Sequence, residues 1–431
     1  MGIKIRSSTQ KHGTDRPSVA VLGVGCFAHG VASILRQDGA DVAVGLTRDY
    51  GHWAPAQVAS VTPVQNGRGL IEWLERCQPE VIVPQSIEWA QWPVAEELIK
   101  RRAPILCPTG DALLLERDRD FARQLCRRYR IPFPQSFRAT NRAEAQQWLD
   151  RHRRPFVIKN PLCGPHSPVH TIVCESVAET RSWLDQINDS EGVFLQKYLG
   201  RAEVGHIALV SGGEVYSLVT NQEYKRAFDG NFGIVAGAPL GGLIERDPND
   251  KYGLARELIW PLLPWFREVG FHGPVQVTAM RHRNHWHVLE YNVRLGVTSG
   301  TMILRSLKHP RTLLRAVVRN EPLQIRWIPR RNFGCSVTLA GYGYPYTQLQ
   351  GPRVPVECRG RPTCDIWWNE VEGDGRGVLW ATGHRLADIN GLGPTAASAT
   401  RLAYENIRRL RSLGSYFRQD VGQSLWPPGN S

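Results

Sequence analysis

The stretch HVLEYNVRLG, residues 287–296, decides how this chain is read. Glu290, Asn292 and Arg294 stand at every second position. Side chains two apart on a strand share a face, so these three project together, with Val288 on their side. Leu289, Tyr291 and Val293 then turn towards a core. A carboxylate beside an amide oxygen is a hard oxygen pair that suits Mg²⁺. An arginine one step along suits a phosphate or a carboxylate. On spacing alone, a solvated strand face with one Glu–Arg pair reads equally well.

The whole chain narrows the field. Its 431 residues have room for roughly two to four packed units. Hydrophobic content of 42% and charged content of 22% are those of an ordinary globular protein. No apolar run is long enough to span a bilayer, and MGIKIRSSTQKHGTDRPS has no apolar signal-peptide core, so no membrane partner is expected. Nine cysteines, an odd number without a CxxC pair, argue against a disulfide framework or zinc site and for the reducing cytoplasm. Most are expected to be small buried hydrophobes. A net charge of +13 favours an anionic partner such as a nucleotide triphosphate. The basic residues are scattered and carry no nucleic-acid motif, so no nucleic acid is expected. Oligomeric state, monomer or dimer, is not legible.

Strands and helices alternate at the start: SVAVLGVG, ASILRQDG, ADVAVGL, PEVIVPQ, VAEELIKRR and PILCP predict a parallel sheet. GVGCFAHG lies at the first strand-to-helix turn, but GxGxxxxG followed later by Thr47-Arg48 supports a nicotinamide cofactor only weakly. A tight turn with close helix packing reads better. A long helix with an Asp111 cap is expected over DALLLERDRDFARQLCRRYR, then a helix over about 141–151 and a strand PFVIKN. Strands GVFLQKYL, EVGHIALV and EVYSLVT follow, the last two paired through Ser211-Gly212-Gly213. AFDGNFGIVAGAPLGG is too glycine-rich to predict regular structure. A helix over about 250–269, two strands joined by RHRN, further strands and a closing helix TAASATRLAYENIRRL complete the chain.

Three further stretches carry candidate chemistry. PFVIKN puts Lys159 at a strand end, suited to a phosphate as a point charge or to a lysine reaching solvent. FLQKYLGRAE could offer backbone to an adenine edge near Gln196, Lys197 and Tyr198, with Glu203 on a ribose hydroxyl; a plain strand exit is the alternative. NQEYKRAFDGNFG puts Lys225 and Arg226 beside a glycine-rich loop, suited to a mobile anionic ligand or to a solvated hairpin end.

The order of these pieces resembles the ATP-grasp superfamily, and within it the phosphoribosylamine–glycine ligase family. VAVLGVGCFAHG looks like that family's first strand and glycine loop. ERDRDFARQL looks like its second-domain helix, with Arg119 where the family has a phosphate-contacting lysine. QEYKR is similar to Q-D-H-K-R, VLEYNVRLG to V-L-E-F-N-x-R-F-G, LAGYGYP to A-x-G-Y-P, and SYFRQDVG to F-Y-R-R-D-I-G. The likeness runs from about Ser18 to Gly422.

The resemblance implies an α/β ATP-grasp fold: a Rossmann-like pre-grasp unit at 17–110, an ATP-grasp unit at 111–325 with a lid over about 120–195, and a small α+β unit at 326–425. It implies ATP with Mg²⁺, or Mn²⁺, as cofactors, and a small-molecule carboxylate and amine as partners. The metal would sit on Glu290 and Asn292, the phosphates on Arg119 and Lys159, adenine near Gln196, Lys197 and Tyr198, and ribose on Glu203. Lys225, Arg226 and Arg294 would meet the transferring phosphoryl group. The departures concern the acceptor side. The family's D-P-E-T-Q is replaced by Val297-Thr298-Ser299-Gly300-Thr301, its mobile phosphate loop by NPLCGPHSPVH, and its hinge acids by Gln196-Lys197. G-R-E-H is missing from the glycine loop although His29 is present, and Thr278 stands at the metal position of the preceding strand. The expectation is a carboxylate–amine ligase on a specialised substrate pair, with the housekeeping phosphoribosylamine–glycine reaction, or nucleotide binding without catalysis, as alternatives.

Overall fold

The computed structural model describes residues 18–64, 66–164, 167–169, 171–346 and 353–422. The polar stretch before Ser18, three positions of NPLCGPHSPVH and residues 347–352 lie outside them.

Four short parallel strands come first: β1 (Val19–Leu22), β2 (Val42–Leu46), β3 (Ser60–Pro63) and β4 (Val81–Pro84), in the order β3-β2-β1-β4. The runs VAVL, VAVGL and VIVP are buried throughout, as a sheet covered on both faces requires. PILCP adds only a bridge between Ile105 and Ile82 rather than the expected strand; Pro104 and Pro108, without N–H donors, bound it.

The glycine loop opens the helix Gly25–Gln37, and its first donors are spent. Val24 N donates to Gln85 Oε1 (2.8 Å), Gly25 N to Gly51 O (3.1 Å) and Cys26 N to Asn369 Oδ1 (3.1 Å). Gly25 sits at φ 55°, and a Cβ there would lie 1.4 Å from Asn369 Oδ1. The loop is therefore a joint between the first and last parts of the chain. His29 serves the same joint: its Nδ1 accepts from Trp368 N at 3.1 Å, and burial lowers the imidazole pKa to about 4, so it is neutral there.

The expected long helix over 111–130 is broken. Asp118 is extended (φ −120°, ψ 110°), and its Oδ1 caps the helix Arg119–Arg128 by accepting from Asp120 N and Phe121 N. Asp118, not Asp111, is the cap. A small antiparallel sheet follows, β5 (Ser136–Ala139), β6 (Phe156–Lys159) and β7 (Val193–Lys197) in the order β5-β7-β6, packed on its own core of Leu149, Phe156, Ile158, Leu184 and Leu195.

The main sheet is built from β8 (Val204–Ser211), β9 (Glu214–Glu223), β12 (Gly241–Arg246), β13 (Gly273–His282) and β14 (His285–Asn292), continued by β15 (Phe333–Ala340), β17 (Asp365–Trp368) and β20 (Arg385–Gly393). Its order is β14-β13-β8-β9-β12-β15-β20-β17. Gly212 (φ 60°) and Gly213 (φ 74°) make the tight β8–β9 turn. AFDGNFGIVAGAPLGG is more regular than its glycines suggest: β10 (Arg226–Phe228) pairs antiparallel with β11 (Phe232–Val235), and β12 starts at Gly241. The expected helix over 250–269 is cut into Leu254–Leu258, a 3₁₀ turn Trp260–Leu262 and Leu263–Glu268, where Pro261 and Pro264 remove backbone donors. Strands β16 (Val354–Cys358), β18 (Val371–Gly373), β19 (Leu379–Ala381) and β21 (Leu410–Arg411) form a side sheet, and Thr395 caps the closing helix Ala396–Ile407. All nine cysteines are free thiols, six of them buried. Among the described residues no helix is long and apolar enough to cross a membrane. We propose units at 17–110, 111–325 and 326–425, the last two sharing the main sheet.

Gly25→Ala should lower unfolding free energy by about 1–3 kcal/mol in a denaturant titration, because the left-handed φ disfavours a side chain and the Cβ meets Asn369. Adding Asn369→Ala should recover only part of that loss, since the φ remains.

Candidate functional site

The register of β13 and β14 slips beside the decisive stretch. Thr278 pairs with Glu290 and Ala279 with Val288, so Leu289 is the extra residue of a β-bulge. The alternation expected over 287–296 therefore changes step. Val288, expected beside the polar set, is buried in the core with Tyr291 and Val293; Leu289, expected in the core, lines a cleft with Glu290 and Asn292. The bulge also frees the Leu289 carbonyl, which accepts from Lys159 Nζ and Gln196 Nε2, both at 3.2 Å. The strand ends at Asn292, so Arg294 stands just beyond it.

The cleft, about 1620 Å³, opens between the β5-β7-β6 sheet, the main sheet, the loops after β2 and β4, and the carboxy-terminal part. Val157, Ile172, Leu199, Met280 and Leu289 are among its apolar lining. Its charged floor centres on Glu290. Lys225 Nζ lies 2.8 Å from Glu290 Oε1, and an Arg119 guanidinium nitrogen lies 3.5 Å from Oε2. Burial pushes the Glu290 carboxyl up, but Lys225, Lys159 and Arg119 together outweigh it and hold the group below the usual carboxylate range. Burial likewise works against a charged Lys225, yet Glu203, Glu290 and Glu223 keep its pKa well above normal. For Lys159 burial prevails, helped by Arg119, and lowers its pKa to about 8.

All the expected site residues line this one cleft, but their contacts differ from expectation. Glu203 Oε2 is 3.1 Å from Lys225 Nζ. Arg226 is held by Glu175 at 3.0 Å, and Arg201 also binds Glu175. Gln196 uses its side chain on the bulge carbonyl, while Lys197 and Tyr198 follow at the strand exit. Asn292 Nδ2 donates to the Tyr291 carbonyl at 3.1 Å. Arg294 faces Glu116 at 3.4 Å. Thr278 lies directly across from Glu290 but is buried and is not part of the cleft lining.

Several residues escaped the sequence reading. Glu116 is buried; its Oε2 accepts from Val293 N at 2.6 Å and its other oxygen faces Arg294, so it positions the end of β14 from 177 residues away. Glu223 was findable: Glu223 and Lys225 are two apart around the buried Tyr224, the same alternation that exposed Glu290 and Asn292. The SYFRQDVG motif braces this segment. Arg418 donates to Arg226 O (2.8 Å) and lies over the Tyr224 ring, and Gly422 N donates to Tyr224 Oη (2.9 Å).

Known proteins resemble this chain in sequence and in fold. Residues 117–298 match the family described as the phosphoribosylglycinamide synthetase ATP-grasp (A) domain. The chain carries an ATP-grasp domain of the phosphoribosylglycinamide synthetase type. A phosphoribosylamine–glycine ligase of Streptomyces coelicolor is 26% identical over 419 residues, 94% of this chain and 98% of the relative. The Leifsonia xyli enzyme of the same name is 27% identical over 94% of this chain and 99% of its own. In fold, the crystal structure of phosphoribosylamine–glycine ligase from Thermotoga maritima aligns with TM-score 0.75 and 22% identity, covering 93% of this chain and 99% of that one. The chain is an ADP-forming ATP-grasp ligase of the class that makes C–N bonds, joining a carboxylate to an amine.

Because the Lys159 pKa lies near 8, the free lysine loses its proton above that pH, whereas a bound phosphate favours the charged form. Nucleotide binding should therefore take up protons above pH 8 and weaken as pH rises, by at most about tenfold per pH unit. Calorimetry of ADP binding in buffers of different ionisation enthalpy checks this, and Lys159→Met should remove the proton uptake.

Proposed function

We propose that the cleft joins a carboxylate to an amine through an acyl phosphate, with glycine and phosphoribosylamine as the substrate pair. What supports the pair is the match to ligases of that name over 94% of this chain. The expected specialised pair finds no support in those relatives. One local observation keeps a different pair as a second reading: Val297–Thr301 carries no carboxylate, and the buried Thr298 and Ser299 hydroxyls have no partner.

The residues fit Mg·ATP. Carboxylates and the Asn292 amide give a hard oxygen donor set, and Lys225 Nζ already stands as a cation among the carboxylates. Glu290 and Asn292 would hold Mg²⁺, or Mn²⁺. The metal, when bound, supplies positive charge to the phosphate oxygens. Lys159 and Arg119 would contact the phosphates, and the apolar lining from Val157 to Leu289 would cover the adenine, with Gln196 to Tyr198 at its edge. Glu203 would turn to the ribose once Lys225 leaves it.

The chain's own part in the chemistry is positioning and charge. A carboxylate is a poor acyl donor because oxide is a poor leaving group. Its oxygen attacks the γ-phosphorus as ADP departs; the amine then adds to the acyl carbon, phosphate leaves with the C–O bond electrons, and the nitrogen gives up one proton to the departing phosphate or to water. Lys225 and Arg226 would neutralise the transferring phosphoryl group, and Arg294, oriented by Glu116, would hold the substrate carboxylate or the acyl phosphate.

ADP and phosphate release from Mg·ATP with glycine plus phosphoribosylamine, each also omitted in turn, tests the reading. Release requiring both, with the glycinamide product seen by mass spectrometry, is expected; release only with another carboxylate–amine pair would favour the second reading. Glu290→Gln should lower turnover by about 10³-fold, and retained turnover would remove Glu290 from the metal site.

A further inference from the structure

The metal side of this cleft holds more carboxylate than the β14 pair provides. Lys225 Nζ lies 2.8 Å from Glu290 Oε1, 3.1 Å from Glu203 Oε2 and 3.7 Å from Glu223 Oε2. Three carboxylates thus converge on one ammonium, with Arg119 on the far oxygen of Glu290. Glu223 is not a loose surface acid: its side chain is 12% exposed, and its Oε1 accepts from Gln276 Nε2 at 3.1 Å, which leaves Oε2 for the cation. A second observation points to a missing ligand. Thr278, 3% exposed, lies directly across from Glu290, so the two side chains share a sheet face, and its Oγ1 has no hydrogen-bond partner. At the position opposite Glu290 the sheet thus offers a hydroxyl and no carboxylate, while Glu223 approaches from β9.

We propose that Glu223 is the third protein ligand of the divalent cation, beside Glu290 and Asn292, and that Lys225 occupies the cation's place in the ligand-free enzyme. The inference rests on the reading of the cleft as a Mg·ATP site. Its physical content is an exchange of cations. An ammonium bonds carboxylate oxygens at about 2.8 Å and carries one charge; Mg²⁺ binds them at about 2.0–2.1 Å and carries two. With metal and nucleotide bound, Glu223 and Glu290 would hold the cation, and Lys225, released from them, would take the phosphate as its new partner. One side chain thereby keeps the acids neutralised before binding and serves the phosphoryl group afterwards. It also makes free cation a competitor of Lys225, so the metal is taken up together with the nucleotide rather than ahead of it.

The test is Mn²⁺ binding to the full chain, read from the free-ion electron paramagnetic resonance signal, with and without ADP. ADP binding in EDTA and thermal unfolding are followed alongside. Glu223→Gln should weaken Mn²⁺ binding in the presence of ADP by about tenfold or more, and ADP binding in EDTA shows that the nucleotide site of the variant is still formed. Lys225→Met should do the opposite without nucleotide, tightening Mn²⁺ binding by about tenfold as the competing ammonium is removed; a lysine that served only the phosphates would leave it unmoved. Wild-type Mn²⁺ affinity in Glu223→Gln overturns the ligand assignment, and unchanged affinity in Lys225→Met overturns the cation exchange. The nucleotide-free comparison needs no folded Glu223 variant. It also stands if ADP fails to bind, a result that would overturn the nucleotide reading instead.

Discussion

A carboxylate mostly withdrawn from water is held ionised by the cations around it, and Glu290 sets that condition here. Lys225, Lys159 and Arg119 converge on it from three separate parts of the chain: the end of β9, the end of β6 and the start of the helix Arg119–Arg128. Each is costly to bury alone. Together they hold the sheets around the cleft at a fixed spacing, since displacing any one would leave an unpaired charge in a poorly solvated place. The same cations are what a triphosphate needs.

The β-bulge at Leu289 is the backbone counterpart of this charge arrangement. It turns Leu289 into the cleft, and its carbonyl becomes the anchor for Lys159 and Gln196. One inserted residue thus ties the small β5-β7-β6 sheet to the main sheet through two side chains. At the far end, Arg418 and Gly422 close over Tyr224, so the last described residues stiffen the segment that presents Glu223, Lys225 and Arg226. The glycine loop is fixed in a similar way by Asn369 and Gln85. The carboxy-terminal strands are part of the wall on which the site is built.

Much of the fold was legible because it is local. Buried runs such as VAVL and VIVP, the Gly212-Gly213 turn and the alternation of strand and helix each follow from neighbours in sequence. The misreadings share one cause. Asp111 and Asp118 are both plausible caps, and tertiary packing chose the second. AFDGNFG looked irregular, yet β10 and β11 pair across it. Strict alternation over 287–296 put Val288 in the cleft, and a bulge that only the partner strand reveals moved it to the core. Glu116 carried no local signal, because its role depends on Arg294 and Val293, 177 residues away for the backbone it holds.

The sequence by itself determined the kinds of group that could meet a metal and phosphates. Glu290, Asn292, Lys159, Lys225 and Arg294 were legible because alternation and strand-end position are properties of a few consecutive residues. It also determined the resemblance to ATP-grasp ligases, through the order of its motifs. Only the tertiary structure decided which charges neutralise one another. It paired Lys225 with three carboxylates, Arg226 with Glu175 and Arg294 with Glu116, and it buried Thr278 across from Glu290. Coulomb energy depends on separation in space and on burial, and neither is written in the spacing of residues along the chain.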